Sequence, residues 1–363
     1  LIAAGNGNGM SKTGSGRRDR DDGGNVERAK EGSSRPVTMA TVGRLAGVSQ
    51  VTVSRALSDP SKVSPATFEK IRNAIEMTGF VPNAIAGALA SRRSRLIGAL
   101  VPSITNIVYS SMIQAFSEGI AGHGYQILLS ETGFDPKEEE RAIVTLLSRR
   151  PDAMLLTGIH HMLEARRMLM AAGIPVVELW DMTETPIDLC VGFSHVETGR
   201  AVAEFVLEAG YKNAATVSAG DERALRRKDA FVKEIGRRAG IDVTQINFVG
   251  GASLARGREA LRILVDEQNF KGGAIFCSSD LLAHGVLIEA NVRGLRVPDK
   301  IAVIGFGDQD FAAHVVPPLT TVRVDRTELG LTAAKAILAR FDGEPPAGRV
   351  KDIGFQIIAR QSA

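Results

Sequence analysis

The chain has 363 residues, 44% of them hydrophobic, which is enough for more than one packed core. Its 2 cysteines, Cys190 and Cys277, lie far apart with no neighbouring Cys/His spacing, so a disulfide scaffold and a zinc ribbon are excluded and a reducing cytosol fits. The formal net charge of +3 hides an asymmetry: 15 Lys/Arg face 8 Asp/Glu up to Gly98, and 29 face 33 beyond it. A basic N-terminal part on a mildly acidic body points to a polyanion-binding module joined to something that does not bind polyanions. No apolar run is long enough to span a bilayer and nothing resembles a signal peptide, so a cytoplasmic protein without a membrane partner is expected.

Residues 1–35 are rich in Gly, Ser, Asn and mixed charge (GNGNGMSKTGSGRRDRDDGG). Such a segment buries too little to offset its ordering entropy and reads as a disordered tail. The chain begins with Leu and Met10 lies inside this stretch, so a start of translation at Met10 or further upstream is expected. The run Arg17-Arg18-Asp19-Arg20 has the charge to touch phosphates but reads first as solvated tail.

Three short helices are predicted over 36–82. Thr38 caps the first (Met39 to Ala46) and Gly47-Val48 makes a tight turn. Ser49 then caps a second helix running to about Leu57. Asp59-Pro60 breaks the chain, and Ser64-Pro65 restarts it as a helix to Met77, closed by Gly79. Val42, Leu45, Ala46, Val48, Val53, Leu57, Phe68, Ile71 and Ile75 form the candidate core. After Leu96 short apolar runs alternate with helical stretches: 97–101, 126–130, 153–157, 175–179 and 189–193, then 214–218, 245–249, 273–277 and 301–306. Buried parallel strands have this pattern, and two such series imply a two-lobed α/β body with a cleft.

The segment TVGRLAGVSQVTVSRALSDPSKVS is the informative one. With Ala46-Gly47 as the turn, the exposed face of the second helix carries Gln50, Val51, Thr52, Ser54 and Arg55. A helix so placed enters a major groove, where Gln and Arg read A and G bidentately. The stretch from Val37 to Leu100 resembles the N-terminus of the lactose/galactose-repressor family of transcriptional regulators. The motifs are AGVS-x-x-TVSR, VS-x-x-T, G-(aromatic)-x-PN-x-x-A-x-x-LA and S-x-x-IG, and LRVPDKIAVIGFGD followed by PPLTTVRVD extends the likeness through the body.

The resemblance implies a small all-α helix-turn-helix DNA-binding domain (36–82), a hinge helix and linker (83–95), and a periplasmic-binding-protein-like sensing and dimerisation domain (96–363). Its first lobe would take about 96–193 and 323–345, its second about 194–322 and 346–363. Gln50, Val51 and Arg55 would contact bases. Thr38, Ser49, Thr52, Ser54, Ser64, Thr67 and Asn83 would position the phosphates, and Met39 is counted among the DNA-binding residues. Leu89 of the hinge would wedge into the minor groove.

Within the family the likeness is to gluconate-utilization repressors, carried by VPSITNIVY, GIPVVELWDMTETPIDLCVGFSH and GDERALRRKDAF. A sugar acid needs a cation for its carboxylate and polar groups for its hydroxyls. The resemblance places Arg227 as that cation and Asp280 as a hydroxyl-binding acid, with Ser103, Asn106 and Tyr109 on a ligand-touching loop. Glu178, Asp181 and Asp308 stand at cleft strands or the rim. Asp280 also reads as a helix cap, Tyr109 as core, and Glu178 as half of a salt bridge. His160-His161 has no third ligand and reads as loop, so no metal site is expected.

The expected function is sequence-specific repression of a sugar-acid, gluconate-type operon. Its partners would be a pseudo-palindromic operator, a small-molecule effector and a second copy of the chain, with no cofactor. A different sugar, a phosphorylated sugar acid or a corepressor mode stays open. No G-x-G-x-x-G follows the first strand, and no P-loop or G-x-S-x-G elbow is present, which counts against an enzyme. A transport-type binding protein is disfavoured by the helix-turn-helix.

Overall fold

The structure is a computed structural model that describes residues 36–82, 93–220, 222–344 and 348–363. The chain divides into two compact units, 1–82 and 83–363. The expectations for the tail and for Asn83 and Leu89 lie outside the described residues.

In the first unit α1 spans Met39–Ala46, α2 Gln50–Ser58 and α3 Pro65–Thr78. Each starts on a hydroxyl cap: Thr38 accepts from Thr41 N–H, Ser49 from Thr52 N–H and Ser64 from Thr67 N–H. Gly47 ends α1 at φ 69°, a left-handed position that an L side chain disfavours. Val42, Ala46, Val53, Ala56, Ile71, Ala74 and Phe80 are buried, with Met39, Val48, Val63, Phe68 and Ile75 packed around them. Two expected core residues are not core: Leu45 is 53% and Leu57 37% exposed. The alanines 46, 56 and 74 fill the centre instead, and three short helices cannot enclose every apolar side chain.

The second unit holds two six-stranded sheets. The strands of the first are β1 (Leu96–Val101), β2 (Gln126–Glu131), β3 (Ala153–Thr157), β4 (Val176–Leu179), β5 (Leu189–Gly192) and β11 (Val350–Asp352), in the order β11-β5-β4-β3-β1-β2. Those of the second are β6 (Ala214–Gly220), β7 (Thr244–Val249), β8 (Gly273–Cys277), β9 (Ile301–Phe306), β10 (Thr320–Arg323) and β12 (Gln356–Ile358), in the order β12-β10-β9-β8-β6-β7. All pairings are parallel except β10 with β12. Burial on both faces explains the continuous apolar runs, such as IAVIGF in β9.

One boundary differs from the sequence reading. Residues 346–363 were assigned to the second lobe, but β11 pairs with β5 of the first sheet, Val350 opposite Cys190. Only β12 and the residues after it return to the second sheet. A short exposed edge strand, VKD, carries no pattern that says which sheet it joins.

Helices cover the sheets. Those bearing on function are α4 (Ile107–Ile120), α5 (Pro136–Leu147), α6 (Leu163–Ala172), α7 (His195–Glu208) and α8 (Glu222–Ala239). The others are α9 (Leu254–Arg262), α10 (Asp280–Val292) and α11 (Arg326–Phe341). α7 and α8 pack closely because Gly199 has no side chain: a Cβ there would lie 2.2 Å from the Arg227 carbonyl oxygen. That approach sets where the first turns of α8 sit against the strand ends.

Candidate functional site

The helix-turn-helix presents α2 as expected from its pattern. Gln50, Val51, Ser54 and Arg55 are exposed, Val51 at 65%, whereas Val53 and Ala56 face the core. Arg55 makes no ion pair among the described residues. The hydroxyls of Ser49, Thr38 and Ser64 accept backbone N–H groups and pair with Thr52, Thr41 and Thr67 at 2.8–3.2 Å. A hydroxyl that accepts still has a proton to donate, so capping leaves these groups able to meet a phosphate at a helix N-terminus. Met39, expected among the DNA-binding residues, is half-buried against the core.

In the second unit a cavity enclosing about 620 Å³ of atom-free space, part of it open to solvent, lies where strand C-terminal ends of the two sheets meet. Three of its lining residues were expected, Asn106, Tyr109 and Arg227. Asn106 caps α4 through its Oδ1, accepting from Val108 N–H at 3.1 Å. Tyr109, three residues on, packs T-shaped against Trp180 with ring centroids 5.8 Å apart.

α8 supplies the charge. Its buried face carries Arg223, Ala224, Arg227, Phe231 and Ile235, so the two arginines stand one turn apart on the side facing the protein. Arg227 is 5% exposed and lies over the Phe306 ring, Cζ 3.6 Å from the centroid. Its Nη1 donates to His195 Nδ1 at 2.9 Å and its Nη2 to the Ser278 carbonyl at 3.1 Å. His195 donates through Nε2 to the Trp180 carbonyl at 2.8 Å. Burial, then the charges of Arg227 and Arg223, holds the His195 pKa well below the usual value, so the imidazole is neutral and its Nδ1 accepts. Arg223 donates to the Tyr109 hydroxyl at 3.2 Å. Among the described residues that line this cavity, Arg223 and Arg227 carry the formal charge, and the neighbouring Asp181 carboxylate feels the charge of Arg223.

A second cavity adjoins the first, sharing Phe134 and Arg223 and adding Thr132, Thr157, His160 and Asp181. Asp181 was expected at the cleft; it is 1% exposed and paired with Arg226. Burial raises the Asp181 pKa, opposed by the Arg226 charge.

Four expected ligand residues line neither cavity, and three of these are acids engaged by protein donors. Asp280 is fully buried, accepting from the Thr321 hydroxyl at 2.5 Å and the Gln309 N–H at 2.7 Å. Ser279 caps α10 and lines the cavity in its place. Asp308 holds Arg323 at 2.6 Å and Arg360 at 2.7 Å. Glu178 accepts the Ile187 N–H at 2.6 Å and faces His161 Nε2 at 3.4 Å. His161, read as loop, has a side chain only 1% exposed between Glu178 and Glu139. Ser103 pairs with the Thr105 hydroxyl at 3.0 Å.

Trp180, His195, Arg223, Ser278, Ser279, Phe306 and Gln309 were missed. Arg223 had a signal: it lies four residues before Arg227 on one helix face. Among the described residues no group of His, Cys, Asp and Glu could hold a metal ion, and no helix is long and apolar enough to cross a membrane.

Comparison with known proteins agrees with both units. Residues 38–83 match the model for bacterial regulatory proteins of the lacI family, and residues 203–363 match a periplasmic binding protein-like domain. The chain is 36% identical over 327 residues to the HTH-type transcriptional regulator GntR of Pseudomonas aeruginosa, covering 90% of this chain and 95% of that protein. It is 33% identical over 324 residues to GntR of Escherichia coli K12, covering 89% and 97%. The crystal structure of a LacI-family transcriptional regulator from Silicibacter pomeroyi is 32% identical, with a TM-score of 0.84 over 90% of this chain and 99% of that one. With a helix-turn-helix of this pattern, a two-lobed α/β body and relatives alike over nearly their full lengths, the chain belongs to the lacI family of bacterial transcriptional regulators.

Proposed function

We propose that this regulator represses a sugar-acid utilisation operon and leaves its operator when gluconate, or a near relative of it, enters the cleft. The observation that carries the reading is the cation pair of the cavity wall: Arg223 and Arg227 one turn apart on α8, with a neutral His195 beside them. A guanidinium pair binds a carboxylate, and Asn106, Ser279 and Gln309 offer groups for hydroxyls. The likeness to gluconate-utilization repressors in the VELWD and ERALRRKDAF stretches supports the same ligand class.

The protein acts as a cytoplasmic homodimer on a pseudo-palindromic operator, one recognition helix per half-site. Gln50, Val51 and Arg55 read bases. Thr38, Ser49, Thr52, Ser54, Ser64, Thr67 and Asn83 position phosphates, and Leu89 wedges the minor groove. Effector works through its differential affinity for two arrangements of the lobes, one of which favours DNA binding.

The test is operator binding by the purified protein at fixed salt, with and without gluconate; salt is fixed because phosphate contacts make affinity steeply salt-dependent. Specific binding weakened by gluconate supports the reading. Specific binding indifferent to gluconate and to related aldonic acids removes the ligand assignment and leaves the regulator.

A further inference from the structure

We propose that Trp180 reads the ligand, its indole Nε1–H donating to one hydroxyl of the bound polyhydroxy acid. This rests on the sugar-acid reading above. The backbone at Trp180 has φ 66°, the left-handed region where a bulky side chain is an outlier and glycine or asparagine is the easy choice. Such a conformation persists where the surroundings over-determine it, and it clusters at ligand sites. Here two contacts hold it. His195 Nε2–H fixes the Trp180 carbonyl at 2.8 Å. The backbone of Asp181 lies so close to β5 that a Cβ on Gly192 would meet its carbonyl oxygen at 2.1 Å.

The ring that this strain positions lines the first cavity, edge-on to Tyr109 at 5.8 Å and Phe193 at 6.3 Å. It is 3% exposed, and its Nε1–H has no acceptor among the described residues. A buried indole N–H ordinarily finds a partner, and a phenylalanine would pack here without that cost. Neighbouring groups divide the remaining work. The cationic pair on α8 matches a carboxylate, and the Ser278 hydroxyl is already engaged, donating to Ala219 O and accepting from Ala219 N–H, both at 3.0 Å. A neutral N–H beside that cationic pair suits a hydroxyl oxygen.

The test uses the full-length protein, D-gluconate and the series of singly deoxygenated gluconates, with affinities from calorimetry. Trp180 is the chain's sole tryptophan, so its emission reports the site directly. One deoxygluconate should bind the wild type about tenfold more weakly than gluconate, the loss expected for one hydrogen bond into a buried donor. Trp180→Phe should bind gluconate and that analogue alike, circular dichroism confirming that the variant folds. The deoxy series on the wild type needs no variant and stands if Trp180→Phe is unstable: no analogue weakened, or emission unmoved by gluconate, overturns the proposal. So does Trp180→Phe binding gluconate as tightly as the wild type. In each of these cases gluconate still binds, and the sugar-acid reading survives. If neither gluconate nor any deoxy analogue binds the wild type, that reading falls and the role of Trp180 with it.

Discussion

Replacing His161 with glutamine would take the cation from between two buried or nearly buried carboxylates. His161 Nδ1 lies 3.0 Å from Glu139 and Nε2 3.4 Å from Glu178, while Arg166 stands off at 4.0 Å. Burial opposes the imidazolium, but the hydrogen bond to Glu139 and the facing Glu178 carboxylate outweigh it and lift the pKa from 6.5 to about 9. A raised pKa on a cation means that protonation favours the folded state. The stability it contributes is whole below pH 6.5 and is lost as the pH rises through about 9. That shift corresponds to about 3 kcal/mol at neutral pH. Glutamine keeps one donor and loses the charge, so most of that contribution should go. Urea unfolding followed through Trp180 reports this unit and not the helix-turn-helix, which has no tryptophan. The wild type should exceed His161→Gln by about 3 kcal/mol at pH 6.5, the gap closing towards pH 10. Equal stability at pH 6.5, or a gap that ignores pH, would refute the charged triad.

Asp280 should behave oppositely to a paired surface acid. Burial lifts its pKa from 3.8 to about 6 against the Thr321 and Gln309 bonds, so its favourable contribution is present below pH 3.8 and lost as pH rises through about 6. Asp280→Asn should therefore gain on the wild type by about 2–3 kcal/mol between pH 4 and pH 8 in paired unfolding curves, and parallel curves would contradict it. Arg55→Ala should weaken operator binding by about 1–3 kcal/mol while barely changing affinity for random DNA. Filter binding at one salt concentration distinguishes this from a phosphate contact, which weakens both equally. Gly192→Ala should cost about 1–3 kcal/mol and shift Trp180 emission, because the new Cβ would collide with Asp181; unchanged melting and emission would show that the backbone yields freely.

Strands such as Ile301–Phe306 could be read from the sequence because a strand buried on both faces is one apolar run. Val350–Asp352 could not, since an edge strand of mixed polarity takes its partner from the geometry of a distant crossover. The exposed face of α2 was legible for a similar reason: in a helix that packs by Val53 and Ala56, the remaining positions have only solvent or a groove to face. Leu45 and Leu57 show the limit of that logic, because periodicity marks an apolar stripe without saying how far the partner helices reach across it.

The cleft was harder, and its acids show why. Sequence can say that a buried carboxylate such as Glu178, Asp280 or Asp308 must find donors, but not whether those donors belong to a ligand or to the protein. Here the protein supplies them: Ile187 and His161, Thr321 and Gln309, Arg323 and Arg360. The consequence is electrostatic. With these acids engaged behind the wall and Asp181 held by Arg226, the wall's described charges are Arg223 and Arg227, and His195 adds none because the same arginines and its burial keep it neutral. A protonated imidazole at that point would lose the Nδ1 lone pair that fixes Arg227 and would repel it at 2.9 Å. Neutrality of His195 is thus a condition for Arg227 to stay over Phe306. The placement of that cation depends on a strand end, Trp180, whose conformation no propensity favours and whose carbonyl completes the chain of hydrogen bonds.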